Sequence, residues 1–293
     1  MTPAPRDTLP IVEMARAKIN LTLEIAGRRP DGFHELASLV AFADLGDSLE
    51  LSHQPEWRLA CQGPTASGIA GGNSVDAAAR TVAANWADAA TGHAQLTKVL
   101  PVAAGIGGGS ADAAACLRAL RRLNAARTGA PDWMRLAQGL GADVPVCLVN
   151  RLAFMQGIGE RVTALALAVN LPTVLVNPAV PLSTARVFET LAASALPADY
   201  INAPVPLLVT QANVLDWAAK RGNDLEAAAL RLAPIIADVQ AALRAHPGCH
   251  LARLSGSGPT CFGLFETTAA AEAAADAITL RHPDWWVRAT SLS

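Results

Sequence analysis

The chain has 293 residues, 52% of them hydrophobic and 16% charged, with a formal net charge of -2. At roughly 100–200 residues per domain, that length suggests two domains, and the composition excludes a disordered tail. No block of Lys and Arg is longer than Arg121-Arg122, which excludes a basic nucleic-acid protein, and no apolar run approaches the ~18 residues that span a membrane.

The N-terminal "MTPAPRDTLP" has neither the basic start nor the apolar run of a secretory leader, so a cytoplasmic location is expected. From Ala17 the chain alternates. Ala17, Ile19, Leu21, Leu23 and Ile25 are apolar; Lys18, Asn20, Thr22 and Glu24 are polar. A period of two predicts a half-buried strand, with Lys18, Asn20 and Thr22 on one face opposite the core. The Pro-Asp-Gly of "GRRPDGFHE" predicts a turn. "LASLVAFA", "SLEL" and "WRLAC" predict further short strands. Residues 73–90 predict a helix capped by Asn73 or Ser74. "AQLTKVLPV" reads as a strand leading into "GIGGGS", with a helix beginning near Ser110. "PDWMRLAQGLG" reads as a shorter helix closed by glycine, and "RLAFMQGIGERV" as a hairpin around Gly157 and Gly159.

A domain boundary is expected near 165, giving units of 1–165 and 166–293. Beyond it come a strand in "LPTVLVNP", a helix from about 183 and an exposed proline-rich loop. "NDLEAAALRLAPIIADVQAALRAH" is helical with a proline interruption, and "CHLARLSGSGPTCFGLF" gives two strands around a second glycine turn. A helix in "AAAEAAADAITLRH" and a strand in "WWVRAT" close the chain. Strands mixed with helices in both halves predict an α+β fold in two domains. The cysteines at 61, 116, 147, 249 and 261 include no C-x-x-C pair, so buried thiols are expected rather than a zinc ribbon or a redox motif.

The glycine run lies between a strand and a helix. A helix N-terminus offers unpaired N–H groups and partial positive charge, and glycine lets backbone approach a phosphate closely. Ser110 can cap the helix and offer a hydroxyl. Asp112, expected in the first turn, suits the dipole but must point away from a bound phosphate. A Walker A loop is excluded, because no lysine follows the glycines, and a dinucleotide fingerprint puts Ser110 where its last glycine belongs. The alternative is a turn whose glycines only permit tight packing; four glycines before a capped helix favour phosphate binding.

"PVAAGIGGGSADAA" (101–114) resembles the phosphate loop of the GHMP small-molecule kinases, and "LSGSGPTCFGLF" (254–265) resembles their C-terminal glycine motif. "ARAKINLTLEIAGRRPDGFHEL" (15–36) is similar to the N-terminal signature of the 4-diphosphocytidyl-2-C-methyl-D-erythritol kinase family, cytidine-using kinases of the non-mevalonate isoprenoid pathway. "GADVPVCL", "GIGERV" and "GNDLE" resemble that family too. The chain departs from it at Ala103 and Ala104, where glycines are common, at Phe33, where tyrosine is usual, and at Val146, where phenylalanine is frequent.

The resemblance implies a two-domain GHMP kinase fold with its active site in the cleft between an ATP-binding domain, 1–165, and a C-terminal domain, 166–293, that contributes to the substrate site. It implies ATP-dependent phosphorylation of the 2-hydroxyl of the cytidine substrate, with magnesium arriving on ATP; no paired carboxylates mark a metal cage in the sequence. Asp143 is implied as proton acceptor, although an Asp in "GADVP" reads on its own as a helix cap. Lys18 is implied as its partner, where the residues alone suggest a solvated lysine. Pro101, Val102, Ala103, Ala104, Gly105, Ile106, Gly107, Gly108, Gly109, Ser110 and Ala111 are implied at the ATP phosphates, and Asn73 at the adenine. The substrate is assigned Asn20, Asp143, Phe33 and Phe188 on either side of the cytosine, and His34 and Thr184 as hydrogen-bonding groups. Only small-molecule partners are expected, no nucleic acid or membrane, for a monomer or homodimer. The alternatives are a GHMP kinase of the homoserine or mevalonate type, which lacks the "RPDGFH" turn, and a non-catalytic nucleotide sensor, against which Lys18 and Asp143 argue.

Overall fold

The structure, a computed structural model, describes residues 9–68 and 72–293. Residues 1–8, part of the stretch read for a leader, lie outside it, as do 69–71. The first half carries β1 (Ile11–Asn20), β2 (Glu24–Arg28), β3 (His34–His53), β4 (Arg58–Gln62), α1 (Ser74–Asn85), β5 (Gly92–Thr97), α2 (Gly108–Leu123), α3 (Trp133–Leu140), α4 (Val144–Val149), β6 (Ala153–Gly157) and β7 (Arg161–Ala164). The second half carries β8 (Leu171–Asn177), α5 (Thr184–Leu191), α6 (Gln211–Lys220), α7 (Glu226–Leu232), α8 (Ile235–Arg244), β9 (Cys249–Leu254), β10 (Cys261–Phe265), α9 (Thr268–Arg281) and β11 (Trp286–Leu292). The mixed α/β architecture expected from the sequence is present.

β3 is the spine. It runs for 20 residues and pairs antiparallel with β1, β2, β5 and β6. At its middle, Ala43 pairs with Leu292 of β11, and β11 continues through β8 and β10 to β9. The sequence reads "LASLVAFA" and "SLEL" as two strands because "DLGD" between them looks like a turn. The structure instead keeps one strand through it. Asp44 pairs with Arg16, Asp47 pairs with Lys98, and Gly46 lies against β1, where a Cβ would stand 2.4 Å from the Ala15 carbonyl oxygen. The glycine serves a close strand crossing, not a turn, and the β1 register shifts there between Arg16 and Lys18.

A second correction concerns the alternating stretch from Ala17. β1 ends at Asn20, and Lys18, Asn20 and Thr22 are buried along with the apolar residues between them. The two glycine motifs lie over two of them: a Cβ on Gly107 would stand 3.2 Å from Lys18 Cβ, and one on Gly256 3.3 Å from Asn20 Oδ1. Period two gives alternation of faces correctly, but it cannot say what covers the polar face.

Apolar residues form three clusters. One lies between the first-half strands and α1 to α4; a second joins the halves around Ile19, Leu39, Phe154 and Phe262; a third lies beneath α7, α8 and α9. Asn73 caps α1, accepting from Val75 N at 2.8 Å, as the sequence predicts. α2 begins at Gly108, not near Ser110, and its N-cap is Gly107 in the left-handed region (φ 67). Ser110 is therefore the third helical residue and caps nothing. Asp112 falls beyond the first turn. Cys116, Cys147 and Cys261 are buried thiols as expected, but Cys61 is exposed and Cys249 half-buried. Among the described residues no helix is long and apolar enough to cross a membrane.

Candidate active site

A cavity of about 750 Å³ opens between β1, the start of α2, the start of α4 and the 254–260 turn. Its floor is Lys18 on β1. The Lys18 ammonium lies 3.0 Å from Asp143 Oδ2; the lysine is buried, whereas the Asp143 side chain is 35% exposed toward the cavity. Asp143 is the residue before α4, as the capping argument requires, yet its side chain makes no cap hydrogen bond. A cap accepts from the second or third helical N–H, and the second residue here is Pro145, which has none. The carboxylate is thus left to Lys18 and to whatever enters the cavity.

The glycine loop forms the wall beside Lys18. A Cβ on Gly105 (φ 74) would stand 2.4 Å from the Gly258 carbonyl oxygen, so this glycine lets the two glycine motifs touch. A Cβ on Gly107 would lie 3.2 Å from the Lys18 Cβ. Gly108 and Gly109 differ: a Cβ there would meet nothing nearer than 3.8 Å, Lys98 Nζ in one case and Ser74 Oγ in the other. That open space lies at the first helical N–H groups of α2, which have no partner inside the helix. A phosphate fits such a place chemically, because the N–H groups and the helix dipole both favour an anion. Ala103 takes a left-handed conformation (φ 54), which explains why glycine is common there in the resembled family.

The loop is held from behind. Thr260 donates from its backbone N (3.2 Å) and its Oγ1 (2.7 Å) to the Ala104 carbonyl. Asn177 Nδ2 donates to the same Oγ1 at 2.9 Å, and Ser255 Oγ donates to Gly105 O at 3.4 Å. Asn223 fixes the turn itself, donating from Nδ2 to Leu254 O (3.0 Å) and Gly256 O (2.7 Å).

Of the residues expected at the site, Lys18, Asn20, Asn73, Asp143, Thr184, Phe188, Pro101 to Gly105 and Gly107 to Ser110 line this cavity. Ile106 and Ala111 do not; their side chains are packed into the apolar clusters behind the loop. Phe33 and His34 also lie outside the lining. Phe33 is 58% exposed in its turn, and the ring that meets Phe188 is that of His34, at 4.7 Å between centroids. Burial, then the charge of Arg28, lowers the His34 pKa and favours the neutral ring. Thr184 Oγ1 lies 2.7 Å from Ser257 Oγ. Asn20 donates from Nδ2 to Ser38 Oγ at 2.8 Å, while its buried Oδ1 has no partner in the protein and can accept from a ligand.

Sequence reasoning misses Lys98 and Asp47, and it reaches Gly256, Ser257 and Asn223 only as members of the motifs at 254–265 and 222–226, with no role of their own. Asp112 carries a signal, a lone acid in an alanine run on a helix. In the structure it pairs with Lys98, whose ammonium also meets Asp47. Among the described residues no three His, Cys, Asp or Glu side chains gather where they could hold a metal ion, and Lys98 bridges Asp47 and Asp112.

The models of two families match the chain, the GHMP kinases N terminal domain over residues 73–151 and the GHMP kinases C terminal over residues 210–284. A 4-diphosphocytidyl-2-C-methyl-D-erythritol kinase of a Bradyrhizobium species is 46% identical, covering 97% of each chain. One from Methylorubrum extorquens is 49% identical over 95% of this chain and 98% of its own. Among solved structures, a crystal structure of 4-(cytidine 5'-diphospho)-2C-methyl-D-erythritol kinase superposes with a TM-score of 0.75 at 32% identity, covering 97% of this chain and 99% of that one. Homoserine kinase from Cytophaga hutchinsonii shares the fold, with a TM-score of 0.68 at 20% identity over 100% of this chain and 96% of its own. With two GHMP models matched in order and relatives this similar along nearly its whole length, the chain belongs to the 4-diphosphocytidyl-2-C-methyl-D-erythritol kinase family of the GHMP kinases.

Proposed function

We propose that this protein transfers the γ-phosphoryl group of ATP to the 2-hydroxyl of 4-diphosphocytidyl-2-C-methyl-D-erythritol, a step in non-mevalonate isoprenoid precursor synthesis in the cytoplasm. The observation that carries the reading is the Lys18–Asp143 pair, 3.0 Å apart, lining one cavity with an open glycine cradle. Phosphoryl transfer asks a protein mainly for positioning and charge stabilisation, plus an acceptor for the hydroxyl proton. Asp143 takes that proton. The freed oxygen forms a bond to the γ-phosphorus as the bond from that phosphorus to the β-γ bridging oxygen breaks, and ADP leaves with the bridging oxygen. Lys18 holds Asp143 and the attacking oxygen in line. The residues of the 101–111 loop receive the phosphates, and Asn73 lies on the adenine side. Magnesium bound to ATP would neutralise phosphate charge.

On the acceptor side, the unpartnered Oδ1 of Asn20 accepts from a substrate hydroxyl. Phe188 lies against one face of the cytosine, and exposed Phe33 closes over the other. His34 and Thr184 hydrogen-bond the substrate. The division at 165 belongs to this reading, with residues 1–165 as the ATP-binding domain and 166–293 completing the acceptor side through Thr184, Phe188 and Ser257. The test is ADP release with the cytidine-linked alcohol, with homoserine, with mevalonate and with no acceptor. Turnover is expected with the first alone, together with a new phosphomonoester signal in phosphorus NMR. Turnover with homoserine or mevalonate instead removes the assignment, and binding of ATP without turnover on any acceptor points to a nucleotide sensor.

A further inference from the structure

Beneath the glycine loop lie three buried charges that the proposed phosphoryl transfer does not use. Lys98 follows β5, Asp47 lies on β3 and Asp112 on α2; each is 4% exposed or less. Asp47 is fully engaged. Its Oδ1 accepts from Val99 N at 2.6 Å and Leu100 N at 2.9 Å, and its Oδ2 accepts from Lys98. Asp112 is not. Its Oδ2 accepts from Lys98 at 2.6 Å, but its Oδ1 is buried with no partner.

Two ionised carboxylates on one ammonium leave a net negative charge in a region shielded from water. Asp112 follows Gly108 by four residues, so it lies one helical turn along the same face. Lys98 and Asp112 both line the cavity, and Lys98 Nζ is 3.8 Å from where a Cβ on Gly108 would sit. The excess charge therefore lies where a polyphosphate must come closest, and it opposes what the start of α2 offers an anion. A proton on Asp112 Oδ1, the one carboxylate oxygen of the cluster with no donor, removes the excess and leaves a neutral Lys98–Asp47 pair.

We propose that Asp112 is a proton-accepting determinant of nucleotide binding, taking up a proton as the phosphates of ATP enter the glycine loop. The inference rests on the loop being the ATP site. Burial first, and then the charge of Asp47, push the Asp112 carboxyl up to about 7 against the pull of Lys98. For Lys98, burial works against the charged form, but Asp112 and Asp47 outweigh it and raise its pKa, so it stays the cation. The other groups around Asp112 are Cys61 of β4, held as a thiol chiefly by burial, and Cys147 of α4, pushed up to about 12 by burial. Asp76 of α1 bears on Cys61, and Lys18 and Asp143 share the cavity.

The sign follows from linkage. A nearby phosphate raises the Asp112 pKa further, because an anion disfavours a second anion. Where the pH is low enough that Asp112 is already protonated without nucleotide, this source gives no pH dependence. Above that range, binding must draw a proton from solution, so affinity falls as pH rises, by up to about tenfold per pH unit.

The experiment is calorimetric titration of the protein with the magnesium complex of a non-hydrolysable ATP analogue, in two buffers of different ionisation enthalpy. At about pH 8, above the titration of the nucleotide complex itself, wild-type protein is expected to take up roughly half to one proton per nucleotide, and at about pH 6 almost none. Asp112→Asn keeps an oxygen for Lys98 and cannot titrate; it is expected to take up none at either pH. Absence of uptake by the wild type at pH 8, or equal uptake by the variant, overturns the proposal. If the variant does not fold, the wild-type affinity series decides: a dissociation constant flat between about pH 7 and pH 8.5 overturns it. Binding without proton uptake removes this inference alone, whereas no binding at any pH removes the reading of the loop as well.

Discussion

Asp143 occupies a helix-cap position without doing a cap's work, because Pro145 denies it one donor and Lys18 claims the carboxylate. Asp143→Asn is therefore expected to leave the melting temperature nearly unchanged while lowering turnover by roughly 10²–10⁴-fold, the usual worth of a general base. Wild-type turnover in a folded variant would remove Asp143 from the reaction. The cytosine assignment is tested at Phe33, whose exposure means that Phe33→Ala should cost little stability. Stacking on a base is worth about 1–3 kcal/mol, so KM for the cytidine substrate should rise by about 5- to 150-fold while KM for ATP holds. An unchanged KM would place the base elsewhere. Residues are legible where a local motif carries them, as with Lys18, Asn20 and Asp143. Lys98 is not, since its partners Asp47 and Asp112 lie 51 and 14 positions away and only the fold brings them to one ammonium.

At the level of elements, the strand, glycine run and helix are legible in order, but the start of α2 is not. Glycine is a poor helix former, so Gly108 and Gly109 read as loop. At a helix N-terminus they lie instead where backbone N–H groups must remain accessible. Gly108→Val places its Cβ in open space, 3.8 Å from Lys98 Nζ, so the fold should persist. The branched side chain then fills the proposed phosphate cradle. ATP affinity should fall by about tenfold or more, taking each 1.4 kcal/mol lost as a factor of ten, while binding of the cytidine substrate survives. Unchanged ATP binding by calorimetry would reduce the run to a packing turn. The opposite error occurs at "DLGD", which reads as a break because Gly and Asp favour turns. Arg16 and Lys98 satisfy the two aspartates from outside, and a turn is not needed.

For the whole molecule, the two halves join where β11 meets β3, through Leu292 opposite Ala43 and through Ser293, whose N and O pair with Phe42 at 2.9 Å each. Such a junction between the two ends of the chain cannot be read from periodicity, which reports only neighbours in sequence. Leu292 is fully buried in the cluster that spans both halves. Leu292→Ala should lower stability by about 2–5 kcal/mol, seen as a fall in the denaturation midpoint. A change below about 0.5 kcal/mol would mean the halves do not depend on the junction. The 20-residue β3 also has a consequence for how the protein opens. Leu36, Ala37 and Val40 have strand partners on both sides, β2 or β1 on one and β6 on the other, and Phe42 pairs with Lys18 on one side and Ser293 on the other. These four residues are buried inside the sheet, so their amides should exchange hydrogen for deuterium chiefly through global unfolding, and more slowly than amides of the short helix α5. Exchange at Val40 and Phe42, the most buried of them, should therefore follow denaturant with the full slope of global unfolding, making these two amides a direct gauge of the stability of the whole protein.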